Sequence, residues 1–132
     1  MARLGCECGY AIPDHDWALD YKAALISDKD FVDFADWFVN EVQGYVLAVQ
    51  NGNARQWLLD NGYGEDYANL GLDHGNVMHD HIFLRKFFEI KKDVYECTQC
   101  GRLYVEGKNN AFFSYSPKSG SFNGAIKFSK SD

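Results

Sequence analysis

The densest chemistry in the chain lies in two short cysteine pairs. Cys6-Glu7-Cys8-Gly9 stands near the start, and Cys97-Thr98-Gln99-Cys100-Gly101 stands late. Two thiols one or two residues apart, in a turn closed by glycine, can present both sulfurs to one point. Glycine at the end of each pair lets backbone amides turn toward the sulfurs. Two such pairs supply the four soft ligands that zinc takes at tetrahedral corners, about 2.3 Å from the metal. The spacing therefore predicts one structural zinc ion held by Cys6, Cys8, Cys97 and Cys100, with no cysteine left over. Disulfides and a redox pair are the competing chemistries. A Cys-x-Cys disulfide is strained, and a reducing compartment disfavours both bridges. A redox Cys-x-x-Cys opens a helix after a strand, whereas this one is expected in a hairpin.

Other candidate groups carry weaker signals. His74, His79 and His81 are close in sequence. On a strand His79 and His81 would share a face and could hold a catalytic metal. On a helix they point about 200° apart, and no His-Glu-x-x-His pattern is present. Asp14-His15-Asp16 reads as a polar loop. The chain has no phosphate loop, nucleophile elbow or dinucleotide fingerprint. No catalytic residue is assigned, and a non-enzymatic role is expected, with a metal-dependent hydrolase using the histidines as a minor alternative.

Elements must bring the two cysteine pairs together across 88 intervening residues. Tyr21–Ile26 reads as a strand, and Pro13 as part of a loop. Ser27 or Asp28 then caps a helix with Asp30 in its first turn. Phe31, Phe34, Ala35, Phe38, Val42, Tyr45, Val46 and Val49 recur at spacings of three and four, which predicts a helix to about Val49 with this stripe buried. Asn51-Gly52 ends it. Asn53 caps a short helix through Trp57-Leu58-Leu59. Residues 61–76, with four glycines, are expected to be irregular. Residues 77–90 allow either a helix or a strand, and a helix is favoured. Asp93–Cys97 and Arg102–Glu106 form a hairpin around the second cysteine pair. Ala111–Tyr115 is a third strand, and the tail from Lys118 to Asp132 is expected to fray.

The knuckle at 6–9 and the hairpin at 94–106 resemble a zinc ribbon over about a fifth of the chain. That resemblance implies two knuckles clamping one structural metal. The first knuckle has one intervening residue rather than two, and a helical segment of about 27–90 stands between the halves. The expected fold is α+β: a ribbon-like hairpin and small antiparallel sheet with inserted helices, in one zinc-stabilised domain over 1–132.

Charge narrows the function further. The net charge is −6, and residues 1–66 carry twelve carboxylates against four Lys/Arg, while 67–132 carry seven against nine. An acidic chain binds phosphate backbones poorly; it suits a basic partner, and the competing reading is that the acidity only confers solubility. A nucleic-acid contact through Arg85, Lys86, Lys91, Lys92 and Arg102 is the disfavoured alternative. No apolar run approaches the roughly 20 residues of a membrane helix, so no membrane association is expected, and the protein is read as cytoplasmic. With the helix stripe centred near Phe31, Phe38 and Val42, Trp37 falls on the far side among Asp33, Asp36, Asn40 and Gly44. A large aromatic ringed by carboxylates suits a hot spot for a basic protein. The competing reading packs Trp37 beneath the 53–60 helix or the glycine-rich segment. In size, charge and overall look the chain loosely resembles bacterial immunity proteins. That likeness implies a protein that binds and neutralises a basic toxic partner through Asp33, Asp36, Trp37 and Asn40.

Overall fold

The computed structural model describes residues 2–15, 18–65 and 73–128. The fold is α+β, and the chain divides into two compact units. One comprises Met1–Leu25 with Lys92–Asp132, and the other comprises Ile26–Lys91, close to the helical insertion expected over 27–90.

The first unit is built of antiparallel strands. β1 (Ala2–Gly5) pairs with β2 (Ala11–Asp14) in register Gly5 to Ala11. Pro13 and Asp14 therefore belong to a strand and not to the expected loop. Proline has no amide to give a ladder, and it is tolerated where a strand has a free edge; a two-stranded ribbon has only such edges. Asp16 lies outside the described residues. The second sheet has the order β3 (Lys22–Leu25), β4 (Lys92–Glu96), β5 (Leu103–Glu106), β6 (Phe112–Tyr115). The β4–β5 pairing sets Glu96 opposite Leu103, which leaves the Cys97–Arg102 turn at its end. Ile12, Tyr95 and Tyr104 are buried with Cys6 and Cys97 as the core. The ribbon is tied to the sheet by Asp14, which accepts from Lys22 Nζ at 2.9 Å and from the Tyr95 hydroxyl. Tyr21 donates to the Pro13 carbonyl.

The tail departs from expectation. Over 118–128 it is held against the unit, because the carboxylate of Glu96, only 1% exposed, accepts from the amides of Ala125 and Ile126 at 3.2 and 3.3 Å. A buried carboxylate needs such partners to offset its lost hydration. Residues 129–132 lie outside the described residues.

The second unit is helical. α1 (Asp28–Gln50) is capped by Ser27, whose hydroxyl accepts from the Asp30 amide. α2 (Ala54–Asp60) follows Asn53, which occupies the N-cap position without a side-chain bond. Of the expected irregular segment 61–76, residues 66–72 lie outside the described residues. α3 (His74–Asn76) leads into a π-helical stretch (Val77–Phe83) and then α4 (Leu84–Ile90). Val77 and Ile82 are both buried. Five residues apart, they would diverge on an α-helix, whereas i→i+5 hydrogen bonding stacks them on one face. Burial of both valine and isoleucine thus rationalises the wider helix.

The core of this unit is Tyr45, Ala54, Leu58, Tyr63, Val77 and Ile82. Trp37, Phe38, Val42 and Val49 pack around it half-buried. The buried face of α1 is therefore rotated from the expected stripe toward Phe34, Trp37, Tyr45 and Ala48. Phe31 is 56% exposed and Val46 37% exposed, although both were expected inside. Aromatic side chains bury more area than valines, so the aromatic side of the helix turns inward. No helix of the described residues is long and apolar enough to cross a membrane.

Candidate metal centre

Each cysteine pair sits in a turn that its hairpin shapes. In the first, Cys6 N donates to Tyr10 O at 2.8 Å and Gly9 N to Cys6 O at 2.9 Å, with Gly9 at φ +97°. In the second, Cys97 N donates to Arg102 O at 2.9 Å and Gly101 N to Cys97 O at 2.8 Å. Gly101 has φ +83°, and a Cβ there would meet Ser121 O at 2.4 Å. The tail backbone therefore lies directly on the second turn, and glycine alone leaves room for it.

The four sulfurs converge. Ligand atoms of Cys6, Cys8, Cys97 and Cys100 all lie within 4.8 Å of one another. Cys6 Sγ is 3.5 Å from Cys100 Sγ, and Cys8 Sγ is 3.7 Å from Cys97 Sγ. Sulfurs about 2.3 Å from a central ion at tetrahedral corners stand about 3.8 Å apart, whereas a disulfide brings them to about 2.05 Å. The donor set thus fits a metal ion and not a pair of bridges. The close pairs join one knuckle to the other, as clamping a single ion requires. Cys6 and Cys97 are buried, Cys100 half-buried and Cys8 exposed.

Surrounding groups bias the thiols unequally. Burial would raise Cys6, but hydrogen bonds from the Tyr104 hydroxyl, the Cys8 amide and neighbouring thiols outweigh it and bring Cys6 down to about 6. Burial dominates at Cys97 and pushes it up to about 12, despite amide hydrogen bonds from Cys100 and Gln99. Tyr104 is central to this arrangement. Its oxygen accepts from the Glu7 amide at 2.9 Å, so its proton is directed to Cys6. Glu7 also accepts from Ser114 Oγ at 3.1 Å. Arg102 Nη1 donates to Cys100 Sγ at 3.5 Å. Its Nε lies 3.2 Å from a Glu7 oxygen, an ionic contact without a formed hydrogen bond. Tyr104, Glu7 and Arg102 were not assigned to the cysteine site from sequence, where Arg102 was considered only for nucleic acid. Their only sequence signal was proximity to the cysteine turns.

Among the described residues, no other group of three or more His, Cys, Asp or Glu meets at metal-binding distance. His74 Nδ1 is 2.8 Å from the hydroxyl of buried Tyr45, and His79 Nδ1 is 2.6 Å from Asp80 Oδ1. Asp33, Asp36 and Asn40 are exposed on α1, and Asp33 pairs with Lys29 at 3.1 Å. Trp37 does not join them on the far side. It stacks on Phe34 at 6.1 Å and lies beneath Lys86 at 5.6 Å. It lines an open cleft of about 200 Å³ with Glu41, Tyr63, Arg85 and Lys86. Of the basic residues considered for nucleic acid, Arg85 covers the Tyr63 ring, Lys91 covers Phe88, and Arg102 serves the cysteine cluster.

The family model described as Domain of unknown function (DUF8617) matches residues 2–119, and the chain belongs to that family. No curated protein matches the chain, and no solved structure matches it.

Proposed function

We propose that this DUF8617 member is a zinc protein that works by binding and not by catalysis. One structural ion is held by Cys6, Cys8, Cys97 and Cys100. The observation that carries this reading is the sulfur quartet, with its cross-knuckle separations of 3.5 and 3.7 Å. Four sulfur ligands complete a tetrahedral shell and leave no position for a reactive water. Catalytic zinc keeps one position open, so the expected role is to close the fold.

The partner is a basic protein, engaged in the manner of an immunity protein through Asp33, Asp36 and Asn40 with Trp37 at their border. Charge supports this placement. The helical unit, Ile26–Lys91, carries eleven carboxylates against five Lys/Arg, a net −6, while the strand unit carries eight of each. The whole formal charge of the chain therefore belongs to the unit that bears those residues. Such a field speeds encounter with a cationic surface.

Elemental analysis of the purified chain tests the metal. One zinc per chain is expected, and it should be lost in the Cys97→Ser variant. Metal-free protein with four free thiols would overturn the assignment. For the partner, affinity capture from the native host followed by mass spectrometry should return a basic protein with the wild type. Asp33→Lys with Asp36→Lys should lose it at unchanged zinc content. These two positions are preferred to Trp37, whose replacement would also disturb packing. Equal capture by both forms would remove the partner assignment.

A further inference from the structure

The four-stranded sheet uses only one of its faces to close the strand unit. Tyr95, Tyr104 and Phe112 lie on that face, packed with Cys6 and Ile12. Side chains alternate along a strand, and residues paired across strands share a face. The opposite face therefore carries three rows: Leu25 with Lys92; Ala23, Val94, Val105 and Phe113; and Glu96, Leu103 and Tyr115. Glu96 points into the amides of Ala125 and Ile126, so the tail crosses this same face. Phe113 and Tyr115 on β6 are exposed, and so are Phe122 and Phe128 on the tail. Two of these rings rest on glycines. A Cβ at Gly107 would clash with the Phe113 ring, and one at Gly124 would stand 2.9 Å from the Phe128 ring.

Charge on the strand unit is balanced in total but sorted by face. Asp93 and Glu106 lie on the core side, where the Glu106 carboxylate accepts from the Asp93 amide. Asp14 is on the ribbon and pairs with Lys22. The outer face has one carboxylate, Glu96, which is buried. Residues 107–131 contain Lys108, Lys118, Lys127 and Lys130 and no Asp or Glu. Lys130 lies outside the described residues. Lys92, Lys108, Lys118 and Lys127 are exposed, and none of them forms an ion pair among the described residues.

We propose that this face binds single-stranded nucleic acid, with bases stacked on Phe113 and Tyr115 and phosphates met by Lys92, Lys108, Lys118 and Lys127. Exposed aromatic rings interleaved with cations are the elements of a stacking platform. Phe113 and Tyr115 are two residues apart on a strand, about 6.8 Å, so each ring can take its own base. The glycine rests hold Phe113 and Phe128 in place beforehand, which lowers the ordering cost of binding. They also favour nucleic acid over an anionic membrane, since insertion into a bilayer needs rings that project freely from the backbone. A second copy of the chain would set lysines against lysines. A duplex keeps its base faces stacked internally and offers the rings nothing. The acidic helical patch assigned to a protein partner lies on the other unit, and either assignment can hold without the other.

Fluorescence anisotropy of the zinc-loaded chain with labelled oligo(dT) and oligo(U) of about twelve nucleotides tests this at about 50 mM salt. Binding is expected, and the ratio of the two affinities reads whether the 2′-hydroxyl is recognised. Four phosphate contacts give a slope of about −2.8 in log affinity against log salt, at about 0.7 per contact. Lys118→Ala with Lys127→Ala should reduce it to about −1.4. Phe113→Ala and Tyr115→Ala should each weaken binding at least fivefold with unchanged zinc content. Tyr115 is exposed, so its variant keeps the test decisive if Phe113→Ala disturbs the fold. No binding to either oligonucleotide overturns the proposal. Affinity indifferent to Tyr115→Ala, or equal for the matching duplex, overturns it as well, because charge alone would then explain the capture. Binding to phosphatidylserine vesicles in place of the oligonucleotides would give the face to a membrane and reject nucleic acid.

Discussion

Stripping the metal should unfold the strand unit and spare the helical one. The core cluster around the cysteine turns has five buried members, and two of them, Cys6 and Cys97, are proposed ligands. That leaves Ile12, Tyr95 and Tyr104 as large buried side chains, each contributing about 1.5–3 kcal/mol on transfer from water. Zinc bound to small thiolate sites supplies about 10–16 kcal/mol of apparent binding free energy at neutral pH, more than those three together. Without it the ribbon and the sheet keep the polar ties of Asp14, Glu7 and Tyr21. The helical unit instead encloses Tyr45, Leu58 and Ile82 completely and uses no ligand residue. Amide exchange with and without a tight chelator measures the difference by residue. Protection of the Val94–Val105 ladder should fall at least a thousandfold, about 4 kcal/mol at about 1.4 kcal/mol per tenfold. Amides of α1 should change less than tenfold. A ladder that stays protected after verified zinc loss would refute the metal's structural role, and joint loss of α1 would refute the independence of the helical unit.

Three further outcomes follow from single contacts. Gly101→Ala should cost about 2–4 kcal/mol in thermal unfolding, because a left-handed backbone and a clash with the Ser121 carbonyl add together; a shift within error would show that the tail does not rest on the turn. Tyr104→Phe removes the hydroxyl between the Glu7 amide and Cys6, so a competing chromophoric chelator should take zinc about 10–100-fold more readily; equal affinity would reduce that hydroxyl to a spectator. Tyr95 is raised to about 12, by burial first and then by its hydrogen bond to Asp14. The unfolded phenol loses its proton near pH 10 and the folded one near 12, so the unfolded state holds fewer protons between them. Stability from Tyr95 is therefore complete below pH 10 and is lost from pH 10 to 12, which denaturant melts of wild type and Tyr95→Phe should separate.

What the sequence revealed was local. Ser27, Asp30 and the three-four spacing lie within one or two turns of each other, so the cap and length of α1 were readable. The cysteine cluster was readable although it is remote in sequence, because four paired thiols have few other uses. The facing side of α1 was not. Its aromatics and its valines form two overlapping stripes, and an average over both points between them. Only the partners show that Phe34, Trp37 and Tyr45 take the inside. The π-helical stretch was hidden for a related reason, since Val77 and Ile82 fit no α-helical face. Pro13 argued for a loop until the ribbon's free edges made a strand acceptable. The roles of Tyr104, Glu7 and Glu96 depend on contacts 29 to 107 residues away, beyond any local pattern.

These separations bear on where function is to be sought. The strand unit is electrically balanced as a bare chain, and its chemistry is turned inward: thiols toward one another, Glu96 toward the tail amides, and Asp14 toward Lys22 and Tyr95. These groups are consumed by holding the unit closed. The helical unit is the reverse. It holds a net −6, leaves Asp36 and Asn40 open, and exposes Val32 and Val39 along a helix whose other side already fills a core. Exposed apolar side chains set in an acidic surface lower solubility and gain nothing for the fold that bears them. The exposure of Val32, Val39 and Val46 along one side of α1 is therefore better explained by recognition than by stability. If so, substitutions on the exposed side of α1 should alter association while leaving zinc content and melting temperature in place, and substitutions at the cysteine turns should do the opposite.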